Sequence, residues 1–279
     1  EELNEDSTGV LVNRATQGQY APGSTFKVVT ALEFIREDAG FSEYSYKCSG
    51  KIEAGSNTIH CYGGKVHGRV DLKDSLAYSC NTSFCNIGSG LKIEKFRKTT
   101  KKLLFDSALP SELPYKKSKF ALDGHAGTAE RMMTAMGQGQ TQVSPYHMAL
   151  ITSAIANSGI LMKPYFVDSI TSCSGTIVSK NKPDKYKELM TSKEAAQLKK
   201  YMESVTDYGT ASVLKDAEYT TAGKTGTAEY SSDKDKDHSW FIGIANVDNP
   251  DLVVSVVIEA SDGTSKAVNV AKKVFDAYY

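Results

Sequence analysis

The sequence lacks the charge imbalance and the long apolar runs that mark several large classes of protein. Its 33 basic and 33 acidic residues cancel, so the formal net charge is zero. A neutral chain has no general electrostatic attraction to nucleic acid or to an anionic membrane surface. No run of about 18 apolar residues is present, although a membrane-spanning helix requires one of roughly that length. We therefore expect no nucleic-acid partner and no spanning helix within these residues.

Cysteine is scarce and odd in number, which argues against a complete disulfide framework. The five cysteines are Cys48, Cys61, Cys80, Cys85 and Cys173. A signal peptide is also missing, because the chain opens on the acidic, polar stretch EELNEDSTG without a methionine. The length of 279 residues suits one large domain. We expect residues 1–279 to be a single domain excised from a longer, membrane-anchored chain.

A serine and a lysine lie one helical turn apart in the stretch YAPGSTFKVVTALEFI. Pro22 and Gly23 form a turn signal, and the apolar residues that follow recur at helical spacing. Residues three apart share a helix face, so the Ser24 hydroxyl can meet the Lys27 amine. A serine hydroxyl becomes a good nucleophile only when a neighbouring base removes its proton. Alone, however, this pattern is better explained as a helix cap beside a solvated lysine, because S-x-x-K is common by chance.

The distribution of helices and strands predicts an α+β fold. Helical spacing occurs in 70–91, 145–157, 192–209 and 267–279. Strand patterns follow one another near the end of the chain, at 222–230, 238–246 and 252–260. The short connections between these strands favour antiparallel hairpins. We therefore predict an antiparallel sheet flanked by helices, together with an all-helical lobe.

Two further motifs accompany the first one in chain order. Ser79-Cys80-Asn81 forms an S-x-N, and Lys224-Thr225-Gly226-Thr227 forms a K-T-G-T at a predicted strand. The trio S-x-x-K, S-x-N and K-T-G is typical of β-lactamases and penicillin-binding proteins. With the segments NRATQGQYAPGSTFK, GQGQTQVSPYHMALITSAIANSG and HSWFIGIA, the sequence resembles the transpeptidase domain of a class B penicillin-binding protein.

The resemblance implies a role for each motif residue in acyl transfer. Ser24 would be the nucleophile, Lys27 its base, and Ser79 a proton relay. Asn81 would bind the amide of the donor peptide. The terminal carboxylate of that peptide would be bound by Lys224, Thr225 and Thr227. Gly226 would let the peptide approach the strand closely. Backbone N–H groups of Ser24 and Thr227 would form the oxyanion hole. Repulsion from Lys224 would keep Lys27 neutral.

The resemblance also implies the substrates and partners. They are peptidoglycan stem peptides ending in D-Ala-D-Ala, β-lactams, and a separate glycosyltransferase that polymerises the glycan. The chemistry would need no cofactor, and the catalytic domain would lie outside the cell membrane.

Three relatives of the same fold remain as alternatives: a β-lactam-sensing receptor, a D,D-carboxypeptidase and a β-lactamase. A class A β-lactamase needs a Glu-x-x-x-Asn loop between the second and third motifs. The only such spacing, Glu53 to Asn57, precedes the second motif. The transpeptidase remains the favoured interpretation.

A cluster of cysteine and histidine precedes the second motif. The soft thiolates of Cys48 and Cys61 and the imidazole of His67 suit tetrahedral Zn²⁺, with a fourth ligand from His60, Asp71 or Cys80. The competing interpretations are a Cys48–Cys61 disulfide, which an extracytoplasmic protein permits, and free thiols. Zinc here would be structural, bracing Ser79 and Asn81.

Overall fold

The computed structural model describes residues 9–229, 237–261 and 266–279. The helices within these ranges are α1 (Arg14–Gln17), α2 (Lys27–Glu37), α3 (Leu72–Ala77), α4 (Asn81–Gly90), α5 (Ile93–Lys102), α6 (Thr128–Ala135), α7 (Pro145–Ala156), α8 (Ser192–Asp207) and α9 (Ala267–Tyr278). The strands are β1 (Tyr46–Cys48), β2 (Lys51–Ala54), β3 (Asn57–His60), β4 (Gly68–Val70), β5 (Ile160–Met162), β6 (Ser169–Thr171), β7 (Ile177–Lys180), β8 (Lys185–Glu188), β9 (Thr221–Glu229), β10 (Asp237–Ala245) and β11 (Leu252–Ser261).

The main sheet has the order β11-β10-β9, and both pairings are antiparallel. In the β9–β10 register, Lys224 lies opposite Ile242 and Gly226 lies opposite Trp240. The three predicted C-terminal strands are therefore present and joined as antiparallel neighbours. Tyr230, the last residue of the first predicted strand, lies outside the described residues.

Helices cover the main sheet and complete its core. Helices α7 and α9 pack against β10 and β11, while α8 packs along β9. Helix α8 begins with a capping box, in which Thr191 and Glu194 satisfy each other's backbone N–H groups. Helix α9 turns Val268, Ala271 and Phe275 inward. The predicted α+β fold with a flanked antiparallel sheet is confirmed.

A second group of helices, α2, α4, α5 and α6, forms the helical lobe around the buried N-terminal half of α2. Helix α2 packs on α4 and α5, and α4 packs on α6. The ring centroid of Phe26, just before α2, lies 6.0, 5.8 and 6.0 Å from those of Phe96, Phe105 and Phe120. Aromatic rings at these separations attract one another beyond their burial. This cluster anchors the start of α2 to the lobe.

The predicted run of helical spacing across 70–91 is two helices with a break between them. Helix α3 ends at Ala77, and α4 begins at Asn81. Ser79 lies between them with φ 55°, in the left-handed region. A left-handed residue is a common way to end a helix. The apolar spacing did not reveal the break, because it continues on both sides of so short an interruption.

Strands β5 to β8 were not predicted from the sequence. They form two small antiparallel pairs, β5 with β8 and β6 with β7. Every residue of β6, β7 and β8 is exposed, so these strands lack the alternation of apolar and polar residues that identifies a half-buried strand. Among the described ranges, no helix is both long and apolar enough to cross a membrane.

Two glycines at the end of α6 allow a direct test of the packing behind Ser24. Gly137 and Gly139 have nearly equal positive φ values, +93° and +94°. A Cβ on Gly137 would lie 1.7 Å from the Gly23 carbonyl oxygen, whereas one on Gly139 would meet only Thr134 Oγ1 at 3.7 Å. We expect Gly137→Ala to lower the free energy of unfolding by about 1–3 kcal/mol more than Gly139→Ala. Urea denaturation measures this difference, and equal losses would contradict the contact.

Candidate active site

Ser24 lies on a 3₁₀ turn, Gly23–Phe26, that leads directly into α2. The turn presses against β9 at two glycines. A Cβ on Gly23 would lie 2.5 Å from the Thr227 carbonyl oxygen, and one on Gly226 would lie 3.0 Å from Thr25 Cγ2. Because glycine has no Cβ, the S-x-x-K turn and the K-T-G strand can approach this closely.

Lys27 is fully buried, and its ammonium group connects the first two motifs. Its Nζ lies 2.9 Å from Ser24 Oγ, 3.2 Å from Ser79 Oγ, 2.8 Å from the Ser79 carbonyl oxygen and 2.7 Å from Asn81 Oδ1. Four oxygen atoms therefore face a group with at most three N–H donors. The structure thus brings together Ser24, Lys27, Ser79 and Asn81.

The pKa values of the two site lysines are both lowered. Burial lowers the pKa of Lys27 from 10.5 to about 8, because a low-dielectric site disfavours the charged form. Burial also lowers the pKa of Lys224 well below its ordinary value, and the charge of Lys27 lowers it further. The main cause at Lys27 is thus burial, and not the repulsion from Lys224 that we had expected. A lysine with a pKa near 8 exists partly as a free amine at neutral pH.

The S-x-N segment owes its geometry to the break between α3 and α4. The left-handed conformation of Ser79 directs both its carbonyl and its hydroxyl toward Lys27. Asn81, the first residue of α4, donates from Nδ2 to the His60 carbonyl oxygen at 3.0 Å. That bond fixes the side-chain amide with Oδ1 toward Lys27. Strained residues of this kind concentrate at functional sites.

The K-T-G residues lie on the edge strand β9. Lys224 is fully buried, and its Nζ donates to the Thr225 carbonyl oxygen at 3.0 Å. The Thr225 hydroxyl is half-buried, and Thr227 is exposed. Gln138 Nε2 lies 3.4 Å from the Thr227 carbonyl oxygen. The strand thus presents threonine hydroxyls beside the Ser24 turn.

The predicted metal ligands form a compact group next to this site. The ligand atoms of Cys48, Cys61, His67 and Cys80 all lie within 4.8 Å of one another. Cys48 Sγ lies 3.7 Å from Cys61 Sγ and 3.4 Å from His67 Nδ1, and Cys61 Sγ lies 3.8 Å from Cys80 Sγ. A tetrahedral Zn²⁺ with Zn–S bonds of about 2.3 Å separates its sulfur ligands by about 3.8 Å. The group has the dimensions of such a site.

The other two candidates for the fourth ligand lie outside this group. Asp71 caps α3, where its Oδ1 accepts from the Asp74 N–H at 2.6 Å. His60 is exposed and contributes its carbonyl to Asn81. No disulfide joins Cys48 and Cys61 in this structure, where their sulfur atoms lie 3.7 Å apart and a bond would need about 2.05 Å.

The Thr82 hydroxyl makes hydrogen bonds with the cysteine group. Its hydroxyl donates to Cys48 Sγ at 3.2 Å and also lies 3.4 Å from Cys80 Sγ. The hydrogen bond from Cys80 lowers the pKa of the Cys61 thiol, while the same hydrogen bond, together with burial, raises the pKa of the Cys80 thiol. A thiol that ionises readily is a better metal ligand, because the thiolate is the binding form.

Two site residues escaped the sequence analysis. Thr210 lies beyond the end of α8, with its Oγ1 2.6 Å from Thr225 Oγ1, and Gln138 belongs to the GQGQ segment. Neither belongs to a motif whose chemistry we could name. The one sequence signal near Thr210 is the preceding residue, Gly209, which marks the end of the amphipathic helix.

Comparison with known proteins accords with this geometry. The family model for the penicillin-binding protein transpeptidase domain matches residues 1–278. A peptidoglycan D,D-transpeptidase, PbpA of Mycolicibacterium smegmatis, is 29% identical over 270 residues, which are 93% of this chain and 54% of that protein. The chain thus spans about half the length of this relative.

Two solved structures share the fold over 99% of the chain. One is the D,D-transpeptidase domain of a peptidoglycan glycosyltransferase from Eggerthella lenta, with a TM-score of 0.89, 28% identity and 70% of that chain covered. The other is penicillin-binding protein A from Mycobacterium tuberculosis as an imipenem acyl-enzyme, with a TM-score of 0.88, 27% identity and 64% covered. The chain belongs to the penicillin-binding protein transpeptidase domain family.

The lowered pKa of Lys27 can be measured directly. We expect the Lys27 resonance to titrate near pH 8, because burial disfavours the ammonium. NMR of protein labelled at lysine Cε and Nζ would record it, and a Lys27→Arg spectrum would assign the signal. A Lys27 signal that stays protonated up to pH 10 would contradict the burial argument.

Proposed function

We propose that the protein is a serine D,D-transpeptidase that cross-links peptidoglycan stem peptides and is acylated by β-lactams. The observation that carries the proposal is the position of the Lys27 amine, 2.9 Å from Ser24 Oγ and 3.2 Å from Ser79 Oγ. A base at this distance can take the serine proton during attack. The transpeptidase family and the acyl-enzyme structure of a relative support the same chemistry.

In the acylation step, Ser24 Oγ attacks the carbonyl carbon between the last two D-Ala residues of the donor peptide. Lys27, as the free amine, accepts the Ser24 proton while its own N–H groups remain bonded to Ser79 and Asn81. The C–N bond then breaks, and the leaving D-Ala receives a proton through Ser79. An ester between Ser24 and the penultimate D-Ala remains.

In the second step, an amine of another stem peptide attacks this ester. The amine loses a proton to the Lys27–Ser79 pair, the ester C–O bond breaks, and Ser24 regains its hydroxyl. A peptide bond joins the two stems, and the released D-Ala balances the reaction. A β-lactam follows the first step only: its ring amide opens, and the acyl group stays on Ser24.

Substrate recognition belongs to the remaining motif residues in this proposal. Thr225 and Thr227 donate hydroxyl hydrogen bonds to the terminal carboxylate, and Lys224 adds positive charge behind them. Asn81 contacts the donor amide, and Gly226 leaves room along β9. The backbone N–H groups of Ser24 and Thr227 form the oxyanion hole, a proposal supported by the close approach of their two segments.

We further propose that residues 1–279 are the catalytic part of a longer chain anchored in the cell membrane, with this part outside the membrane. The relative PbpA supports the longer chain, because the present residues cover only 54% of its length. Glycan polymerisation would be carried out by a separate glycosyltransferase. A solved peptidoglycan synthase complex that coordinates polymerisation and cross-linking supports such a pairing, since one of its chains shares this fold over 99% of the present chain, with a TM-score of 0.84, 26% identity and 49% of that chain covered.

We also propose that Cys48, Cys61, His67 and Cys80 hold a structural Zn²⁺. Their spacing fits a tetrahedral site, and the donor set of three thiols and one imidazole is one that zinc prefers. Cys80 is the middle residue of S-x-N, so these ligands would hold the backbone between Ser79 and Asn81. Zinc has no part in the acyl transfer.

Reaction with benzylpenicillin tests the proposed chemistry. We expect one covalent adduct per chain on Ser24, which Ser24→Ala abolishes and Ser56→Ala, an exposed serine outside the site, leaves intact. Lys27→Ala should slow acylation by about 10²–10⁴-fold, the usual effect of general base catalysis. Intact-mass spectrometry over a time course measures both the adduct and its rate of formation. An adduct that persists in Ser24→Ala would refute the assignment.

The same experiment separates the alternatives. Rapid loss of the wild-type adduct would indicate a β-lactamase. To separate a transpeptidase from a carboxypeptidase or a sensor, a D-Ala-D-Ala peptide is incubated with an acceptor amine. We expect the cross-linked product, whereas free acid alone would indicate a carboxypeptidase and no turnover would indicate a sensor.

Metal analysis tests the zinc proposal. We expect about one Zn²⁺ per chain in protein purified without added zinc. Cys48→Ser should lose the metal and lower the melting temperature, while Cys173→Ser, an exposed cysteine outside the group, should change neither. Metal-free protein with a Cys48–Cys61 disulfide by mass would contradict the proposal.

A further inference from the structure

The turn after α8 connects the second and third motifs. Thr210 donates its N–H to the Ala77 carbonyl oxygen at 3.0 Å, two residues before Ser79. A Cβ on Gly209 would lie only 2.3 Å from the same oxygen. Tyr208 donates its hydroxyl to Asp74 Oδ1 at 2.7 Å. The backbone of this turn is therefore fixed on the end of α3.

From this position the turn contacts the K-T-G strand through the Thr210 side chain. Thr210 Oγ1 lies 2.6 Å from Thr225 Oγ1, a short hydrogen bond between two hydroxyl groups. Thr210 is exposed and Thr225 is half-buried, so the pair opens toward solvent beside the site. A hydroxyl has one proton and two acceptor lone pairs. One of the two threonines must donate, and the other must accept.

We propose that Thr210 is a positioning residue for carboxylate recognition: its hydroxyl donates to Thr225 and thereby directs the Thr225 proton at the carboxylate of the acyl donor. The inference rests on the proposed function, because it takes Thr225 as part of the carboxylate site. It extends that function to a residue outside the three motifs. The ligand class is an acyl donor with a carboxylate next to the scissile amide.

The direction of the bond follows from the chemistry of the ligand. A carboxylate is acceptor-only, so it contributes nothing to a threonine whose proton points away from it. With Thr210 as the donor, the Thr225 oxygen is an acceptor and its own proton is free for the ligand. Chained hydrogen bonds strengthen one another, and a carboxylate at the end of the chain favours this order.

The neighbouring lysine increases the importance of these hydroxyls. Lys224 Nζ donates to the Thr225 carbonyl oxygen, so the carbonyl and the hydroxyl of Thr225 each have a hydrogen-bonding neighbour. Burial and the nearby Lys27 lower the pKa of Lys224, which reduces the positive charge available to a carboxylate. Donation from oriented hydroxyls then carries more of the recognition.

The test compares benzylpenicillin with its methyl ester, which lacks the carboxylate. We expect Thr210→Val to lower the second-order acylation rate with benzylpenicillin by about two- to tenfold, the range of one hydrogen bond. Thr210→Ser should restore the rate, because it returns the donor. The ester should react equally with wild type and Thr210→Val. Thr176→Val, an exposed threonine also bonded to a hydroxyl, is the matched control.

A double-mutant cycle with Thr225→Val completes the test. If Thr210 acts through Thr225, Thr210→Val has no further effect in the Thr225→Val background. The proposal would be overturned if Thr210→Val lowered the acylation rate equally with benzylpenicillin and with its methyl ester, or if Thr210→Ser failed to restore the rate. Either result would indicate a structural role only. A wild type that forms no adduct would instead refute the proposed function, and the role of Thr210 with it.

Discussion

The buried amine of Lys27 is the constraint on which the rest of the site depends. Burial of a charged amine is strongly unfavourable unless polar partners surround it. Here the partners come from Ser24 in the preceding turn, and from Ser79 and Asn81, which lie 52 and 54 residues along the chain. The amine therefore fixes the distance between α2 and the junction of α3 with α4. The same burial lowers its pKa to about 8, so one feature supplies both the geometry and a population of free amine at neutral pH.

Close contacts at glycines join the K-T-G strand to the Ser24 turn and Lys27. Gly23 and Gly226 let the Ser24 turn lie against β9, and Gly137 supports the turn from behind through the Gly23 carbonyl. A Cβ would meet backbone atoms at Gly23 and Gly137 and the Thr25 side chain at Gly226, so the three glycines allow helix and strand to lie this close together. Such a framework is rigid, and preorganised donors in a rigid site stabilise a transition state without further reorganisation.

The sequence predicted the parts of the site that have a chemical signature. Ser24 with Lys27, Ser79 with Asn81, and the K-T-G strand each combine a residue type with a spacing, and the sheet strands show strong β patterns. The break at Ser79 could not be predicted, because it depends on a left-handed residue without glycine. Thr210 could not be predicted either, since its role arises from a contact with Thr225 across the fold. For the fourth cysteine-group ligand, only the fold could choose among three candidates.

The central claim, that Lys27 is the base for Ser24, is tested most directly by the pH dependence of acylation. The measurement is the second-order rate constant for benzylpenicillin between pH 5 and pH 10, in the wild type and in Lys27→Arg. The protonated amine cannot accept the serine proton, so the wild-type rate should rise about tenfold per pH unit below the pKa and level off above about 8. Lys27→Arg, which stays charged, should be slow throughout. A wild-type rate that is flat over this range, or matched by Lys27→Arg, would contradict the account.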